Sequence, residues 1–375
     1  MQESKNLSSF FIGLALFSMF FGSGNLIFPL FVGQTAETQW PIASLGFGLT
    51  AVIVPFIGVV AMVVFRGNYT RFFNILGNKI GFLITFVLLT VWIPFGSAPR
   101  CIILAYNSLA SYLTMPSIWI VSLFYSFLLF LVVYKKSRML NILGYFLTPI
   151  LLSCLAFIVV KGILFTEAPI EQLPKDFTVN MFFLGLKEGY NTMDLIASFF
   201  FSASIISILE KSQSDKISPL KKTLHSCIIG IVILGVVYIG LIHLSAIHAP
   251  SLEGIPKDQL LAHIAKSVMG ENLGIIAAIT IVLACFTTSV AMIVVYTDFL
   301  SEKVFSRSSF NPSMLLSLLV SFAMSISGIE GITTLTAPIL SLFYPSLIIL
   351  IAVNISKELF WKSLPSSKKA LSAEE

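Results

Sequence analysis

"FFGSGNLIFP", residues 20–29, interrupts an apolar run just where an interruption is least tolerable. Its flanks, "FFIGLALFSM" and "LFVG", are hydrophobic throughout, so the run reads as a membrane crossing. Yet Gly22, Ser23, Gly24 and Asn25 cluster near its centre, with Pro29 a turn later. Glycine loosens a helix, and proline removes a backbone donor. Irregular backbone at membrane depth survives only where protein or a wet cavity lines it. The stretch therefore raises the question of what satisfies it.

Composition sets the class. The 375 residues are 57% hydrophobic and 11% charged, with 34 Phe, whereas soluble domains average about 25% charged residues. Such a chain cannot cover itself with polar groups in water and reads as a polytopic membrane protein. The net charge of +5 does not point to nucleic acid, because the basic residues lie in short runs between apolar spans. Cys101, Cys154, Cys227 and Cys285 occur singly in apolar segments without a CxxC, and read as small buried apolar residues. The first span is too long to read as a cleaved signal peptide.

A membrane helix needs about 20 mostly apolar residues. Ten candidate spans meet that need, at about 7–33, 41–65, 80–111, 117–134, 139–165, 182–209, 223–248, 272–298, 312–328 and 332–355. With the N-terminus in the cytoplasm, most of the 23 Lys and Arg fall inside. They include Lys5, Arg66, Arg71, Lys79, Lys135, Lys136, Arg138, Lys211, Lys216, Lys221, Lys222, Lys303, Arg307 and the tail lysines. Lys161, Lys175, Lys187, Lys257 and Lys266 fall outside, sharing loops with Glu167, Glu171 and Asp176. The positive-inside rule therefore places both termini in the cytoplasm. The outside segment 257–269 puts Leu260, Leu261, Ile264 and Val268 on one helical face. It reads either as a lid over an outer vestibule or as an ordinary interfacial helix.

The sixth span repeats the anomaly of the first. "GLKEGYNTMD", residues 185–194, gathers Gly189, Asn191 and Thr192 between Glu188 and Asp194. First and sixth of ten are matching positions if the chain is two five-span units. Five is odd, so the second unit would be inverted, and paired interruptions of this kind point to a midplane substrate site. A broken helix offers free N–H groups to a carboxylate and free C=O groups to a cation. Glycines also serve close helix packing, and Gly13, Gly46, Gly48 and Gly58 read that way.

Other polar residues lie inside spans. Thr287, Thr288 and Ser289 in "CFTTSV" offer hydroxyls to a hard cation such as sodium, or bond back to their own helix. Arg100 in "WIPFGSAPRCIILAYNS" is too deep for easy snorkelling and is expected to pair with an acid, Asp194 and Glu188 being the nearest partners, or with broken-helix carbonyls. The pair would serve as a gate or as a structural ion pair. His225, His243, His248 and His263 show no metal-ligand spacing. No HExxH, GxSxG or phosphate loop is present, so the sequence offers no enzyme signature.

"LALFSMFFGSGNLIFPLFVG", "PFGSAPR", "LTPILLSCLAFIVVKGI", "EGYNTMDLIAS", "LACFTTSVAMI" and "TAPILSLFYPSLIILI" together resemble the bacterial branched-chain amino acid:cation symporters. This is the leucine–isoleucine–valine cation symporter family, and the resemblance runs from about residue 10 to 355. It implies an all-α integral membrane protein of the bacterial inner membrane with a LeuT-type fold. Ten transmembrane helices would form two inverted repeats, about 7–165 and 182–355, with helices 1 and 6 interrupted and a cytoplasmic tail at 356–375. It further implies import of Leu, Ile and Val, with sodium as coupling ion and no other cofactor. The alternative is a proton- or sodium-coupled carrier of another small zwitterion, with Asp194 as the protonated group in the proton-coupled case.

By the same resemblance, Ser23, Gly24 and Asn25 would hold the substrate carboxylate, and Gly189, Tyr190, Asn191 and Thr192 would line its other side. Backbone carbonyls of Ser18, Phe21 and Ala284, with the Thr287 and Thr288 hydroxyls, would hold sodium. Arg100, Glu188 and Asp194 remain as charge-coupling residues. Two departures stand out. Members of the family usually have twelve helices, and the expectation is that ten complete the transport core. Where the family tends to carry an acid after the Pro-Arg of span three, this chain has Asn107.

Overall fold

The computed structural model describes residues 8–134, 142–164, 178–211, 218–305 and 310–363. The topology residues Lys5, Lys135, Lys136, Arg138, Glu167, Glu171, Lys175, Asp176, Lys216, Arg307, Lys368 and Lys369, and the tail beyond 363, lie outside them. The described residues are helical without strands. In chain order the α-helices are α1 Ser9–Phe20, α2 Ser23–Ala36, α3 Trp40–Gly48, α4 Val54–Val64, α5 Tyr69–Phe73, α6 Asn78–Trp92, α7 Ala98–Ala110 and α8 Ile118–Val133. They continue with α9 Thr148–Leu164, α10 Thr178–Asn191, α11 Asp194–Lys211, α12 Pro219–Ile247, α13 Leu260–Phe299, α14 Phe310–Ile326 and α15 Gly328–Ser363.

Among the described residues, seven helical stretches are long and apolar enough to cross a membrane. Three shorter apolar helices, Ser9–Phe20, Ile118–Val133 and Phe310–Ile326, accompany them. This partition differs from the expected one for a local reason. The first expected span is cut at Phe20, and its second half runs through the short 3-10 turn Glu37–Gln39 into the next helix, so Ser23–Val64 forms one stretch. Large side chains such as Leu45, Phe146, Leu164 and Leu342 point outward, each about 70% exposed (70%, 72%, 69% and 70%). Polar Ser18, Asn25, Asp194, Ser198, Thr287 and Ser289 are buried instead. That inside-out distribution is unsuited to water and suited to lipid.

Both interruptions are true helix breaks. α1 ends where Phe21 leaves helical geometry (φ −76°, ψ 81°), and Gly22 is extended (φ −111°, ψ −156°). The Gly22 N–H donates to Asn25 Oδ1 at 3.2 Å, which closes the start of α2. Pro29 lies inside α2 and leaves the carbonyl four residues back, that of Asn25, without its helical partner. The second break falls at Thr192 and Met193, between α10 and α11. Thr192 Oγ1 and the Met193 N–H close α10 on the carbonyls of Gly189 and Tyr190, at 2.8 and 3.1 Å. Met193 takes the left-handed conformation, φ +60°, a strained one that occurs mainly where surroundings enforce it.

The broken helices run along two partners. α1 and α2 pack on α12, whereas α10 and α11 pack on α3 and α4. Small residues permit both approaches. A side chain added at Gly13 would meet the Ser226 carbonyl, and one at Gly33 the Ile242 carbonyl. On the other seam, Gly46 faces Phe182, Gly185 faces Ala43, Gly189 faces Phe47 and Thr50, and Gly58 faces Ser198. Gly48 differs from its expectation: nothing lies within 4 Å of a methyl built there, because it points away from the seam. Two side-chain bonds pin the seams, Ser245 Oγ to Leu30 O at 2.6 Å and Thr50 Oγ1 to Leu186 O at 2.8 Å.

Candidate functional site: a cavity between two helix breaks

The two breaks meet at the centre of the bundle. Gly24 of α2 lies so near Thr192 that an added methyl would stand 3.5 Å from Thr192 Cα. Around this point Gly22, Ser23, Gly24, Asn25, Ser97, Cys101, Thr192, Met193, Asp194 and Thr288 share a cavity wall with Phe20, Trp92, Ala197, Phe201 and Met292. The space between them is about 30 Å³, enough for only a water molecule or two. A larger ligand enters by moving a wall.

Asn25 and Asp194 join the breaks directly. The Asn25 amide donates to both Asp194 oxygens, at 3.0 and 2.8 Å. Tyr238 of α12 donates to Asp194 Oδ2 at 2.8 Å and also contacts the Asn25 amide. Asp194 is the first residue of α11, so its carboxylate lies at the positive end of that helix. It is 2% exposed, and among the described residues no Lys, Arg or His lines the cavity.

Behind the first break lies an oxygen cluster. Thr287 Oγ1 donates to the carbonyls of Ser18 and Ala284, at 3.1 and 3.0 Å, and Thr288 Oγ1 donates to Ser18 at 3.0 Å. Four of the five oxygens expected around sodium thus converge. Oxygens at such separations suit a hard cation once the hydroxyl hydrogens turn away. The fifth, the Phe21 carbonyl, makes no hydrogen bond to either threonine. The residue lying against Thr288 is Gly22, where an added methyl would stand 2.9 Å from Thr288 Cγ2.

Other expected site residues lie elsewhere. Gly189 is used in packing against α3, Tyr190 rests on the Tyr344 ring at 4.1 Å, and the Asn191 amide bonds Glu188 at 3.0 Å. None of the three lines the cavity; of the sixth span's group only Thr192 does. The reason is the turn at Met193, which aims the end of α10 away and brings Met193 and Asp194 in. The expected pairing of Arg100 with Asp194 or Glu188 is also corrected. Asp194 is held by Asn25 and Tyr238, and Glu188 by Asn191 and by Lys257 at 3.9 Å. Among the described residues, Arg100 Nε has no hydrogen-bond partner. Sequence reasoning missed Tyr238 and Cys101. Tyr238 lies amid apolar residues of α12, and Cys101 read as ordinary packing.

Two further features lie on opposite sides of the cavity. On one side stands the 257–269 helix, which meets the rest of α13 at a kink on Gly270 (φ +75°). Leu260, Leu261 and Ile264 are buried beneath it, so its apolar face rests on protein. Lys257 reaches Glu188 and also lies 3.3 Å from the Phe31 ring centroid. Asp258 accepts from the Asn107 amide at 3.2 Å, and Tyr112 donates to the Ala262 carbonyl at 2.7 Å. At the opposite end an opening of about 280 Å³ is lined by Arg66, Tyr69, Glu210, Asp298, Glu302 and Lys303, among others. Phe200 belongs to that opening and Phe201 to the cavity. With Trp92, 6.3 and 5.8 Å from them by ring centroids, they form one aromatic layer between the two spaces.

Comparison with known proteins agrees with this architecture. Residues 5–372 match the family described as branched-chain amino acid transport protein. The branched-chain amino acid permease BrnQ of Bacillus subtilis is 29% identical over 370 residues, covering 95% of this chain and 83% of that protein. A branched-chain amino acid transport system 2 carrier protein of Pseudomonas aeruginosa is 26% identical over 375 residues, covering 97% and 84%. In fold, the chain is similar to a Na+-coupled sialic acid symporter, with a TM-score of 0.57 at 12% identity, covering 93% of this chain and 79% of that one. It is likewise similar to a manganese transporter of Eremococcus coleocola, with a TM-score of 0.54 at 11% identity, covering 96% and 80%.

Proposed function

The chain belongs to the branched-chain amino acid transport protein family, a family of carriers rather than enzymes, and from that premise we propose that it imports Leu, Ile and Val by sodium-coupled alternating access. The meeting of two helix breaks at Asn25 and Asp194 carries this reading. It supplies free helix ends at the middle of a multi-pass membrane protein, where a zwitterion needs them.

In this reading the helices form ten spans in two inverted repeats of the LeuT type. The packing of the first broken helix on α12 and of the second on α3 and α4 supports the pairing. Both termini face the cytoplasm of a bacterial inner membrane, and the 257–269 helix lies outside. Sodium binds among Ser18, Ala284, Thr287 and Thr288, with Phe21 as the remaining ligand once the break adjusts. That ordering aims the amides of Ser23, Gly24 and Asn25 at the substrate carboxylate. The side chain then displaces the apolar wall of Phe20, Trp92, Phe201 and Met292. Such a pocket separates Val from Ile by only about 1–3 kcal/mol, so several branched substrates share it.

Leucine uptake into proteoliposomes, with and without a sodium gradient, tests the proposal. Accumulation that follows the gradient is expected; uptake indifferent to sodium removes the coupling. One observation favours a second reading. Asp194 is buried without a fixed cation, as a proton-carrying group would be. Uptake driven by a proton gradient alone would select that reading.

A further inference from the structure

We propose that the Asp194 carboxylate is the counter-charge for the α-ammonium group of the substrate. The inference rests on the transport reading above and names what recognises one end of the ligand. A carboxylate in a 2% exposed position needs compensation. Asp194 has part of it: two contacts from the Asn25 amide, one from the Tyr238 hydroxyl, and the N-terminal end of α11. All of these are neutral groups or partial charges. Arg100, the cation expected beside an acid, does not line the cavity, and Lys257 is engaged with Glu188. Apart from the sodium proposed behind the first break, a full positive charge is therefore left for the ligand to bring.

The placement also fits an α-amino acid in particular. The N–H groups that begin α2 include that of Asn25, whose side chain is bonded to Asp194. Anion and cation subsites are thus adjacent through a single residue. In an α-amino acid the carboxylate and ammonium are attached to one carbon, so one ligand satisfies both without spanning the cavity. A simple amine would leave the α2 amides unfilled, and a simple carboxylic acid would leave Asp194 uncompensated.

The test is binding to the purified full-length protein, in sodium, of three probes: L-leucine, 4-methylpentanoate (leucine without its ammonium) and 3-methylbutylamine (leucine without its carboxylate). The wild type is expected to prefer leucine to 4-methylpentanoate by about 100-fold or more, because a buried polar group left unpaired is heavily penalised. In Asp194→Asn that preference should fall to about 10-fold or less, through loss of leucine and not of 4-methylpentanoate. Asp194→Glu should recover part of the preference. If Asp194→Asn keeps the wild-type preference, the assignment is overturned. It is equally overturned, with no variant needed, if the wild type binds leucine and 4-methylpentanoate alike. A wild type that binds no branched-chain amino acid overturns the transport reading itself, and the assignment with it.

Discussion

Asn25 and Asp194 are 169 positions apart in sequence, yet the amide of one bridges both carboxylate oxygens of the other at 3.0 and 2.8 Å. Each residue belongs to a different interrupted helix, so their bond measures how the two breaks sit against each other. Asn25→Asp would set two carboxylates face to face and is expected to abolish leucine uptake. Asn25→Ala should lower it by about 10-fold or more, the value of a hydrogen bond to a charged group being about 1.5–3 kcal/mol. Uptake in proteoliposomes, with gel filtration as a check on folding, decides it. Normal transport by Asn25→Asp would show that the bond does not position the site.

The threonine cluster makes a separate claim. Thr287→Ala combined with Thr288→Ala removes two side-chain oxygens and leaves the carbonyls of Ser18 and Ala284. The sodium concentration for half-maximal uptake should rise by about 10-fold or more, while leucine affinity at saturating sodium changes less. Each lost charge–dipole contact is worth about 1.5–3 kcal/mol. An unchanged sodium requirement would move the cation elsewhere.

The glycine seams permit a controlled comparison. Gly185→Ala places a methyl into the Ala43 carbonyl, whereas Gly48→Ala places one in open space. Overpacking costs about 1–3 kcal/mol, and alanine in an open helix position gains about 1 kcal/mol over glycine. Thermal unfolding in detergent should therefore shift down for Gly185→Ala and stay level or rise for Gly48→Ala. Equal shifts would remove the seam as a close-packing contact.

The ties on the 257–269 helix should be weak individually. Lys257 is about half exposed in its ion pair with Glu188, at 47%, and such pairs contribute about 1 kcal/mol at most. Lys257→Gln is expected to change the transport rate by about 5-fold or less. Adding Asn107→Ala, which frees Asp258, should expose the cavity more than either change does alone. Labelling of a cysteine at Ser23 by an impermeant thiol reagent reports that exposure. No increase in the double variant would mean that the helix is held by its buried leucines alone.

Cys101 offers a native reporter, since it lines the cavity wall. With Cys154, Cys227 and Cys285 replaced by alanine, a small permeant thiol reagent should modify Cys101, and leucine should slow that reaction by several-fold. The same rate with and without leucine would place the substrate away from α7.

The sequence was most legible where a local rule was broken. Gly22 to Asn25 and Gly189 to Asp194 announced themselves because apolar helices do not tolerate such runs, and both are breaks in the structure. The hydroxyls of Thr287 and Thr288 stood out for the same reason, and both donate to the Ser18 carbonyl. What stayed hidden depended on long-range pairing. Tyr238 meets Asp194 from another helix, and nothing within α12 marks it. Lys257 took Glu188 from Arg100 through a loop closure that no spacing encodes. Gly189 and Asn191 looked like site residues because they flank the break, but one left-handed residue, Met193, rotated the site past them.

The aromatic layer of Trp92, Phe200 and Phe201 has an electrical consequence. Were the 280 Å³ opening filled with water, the potential of that side would reach inward as far as the rings. The transmembrane voltage would then fall over a shorter path than the hydrocarbon thickness of about 30 Å. In the sodium-coupled reading proposed above, an ion leaving past Phe201 would cross a compressed field, each elementary charge being worth about 2.3 kcal/mol per 100 mV across the whole of it. In that reading the three rings would act as a thin dielectric, and their displacement would be the step at which membrane voltage is converted into current.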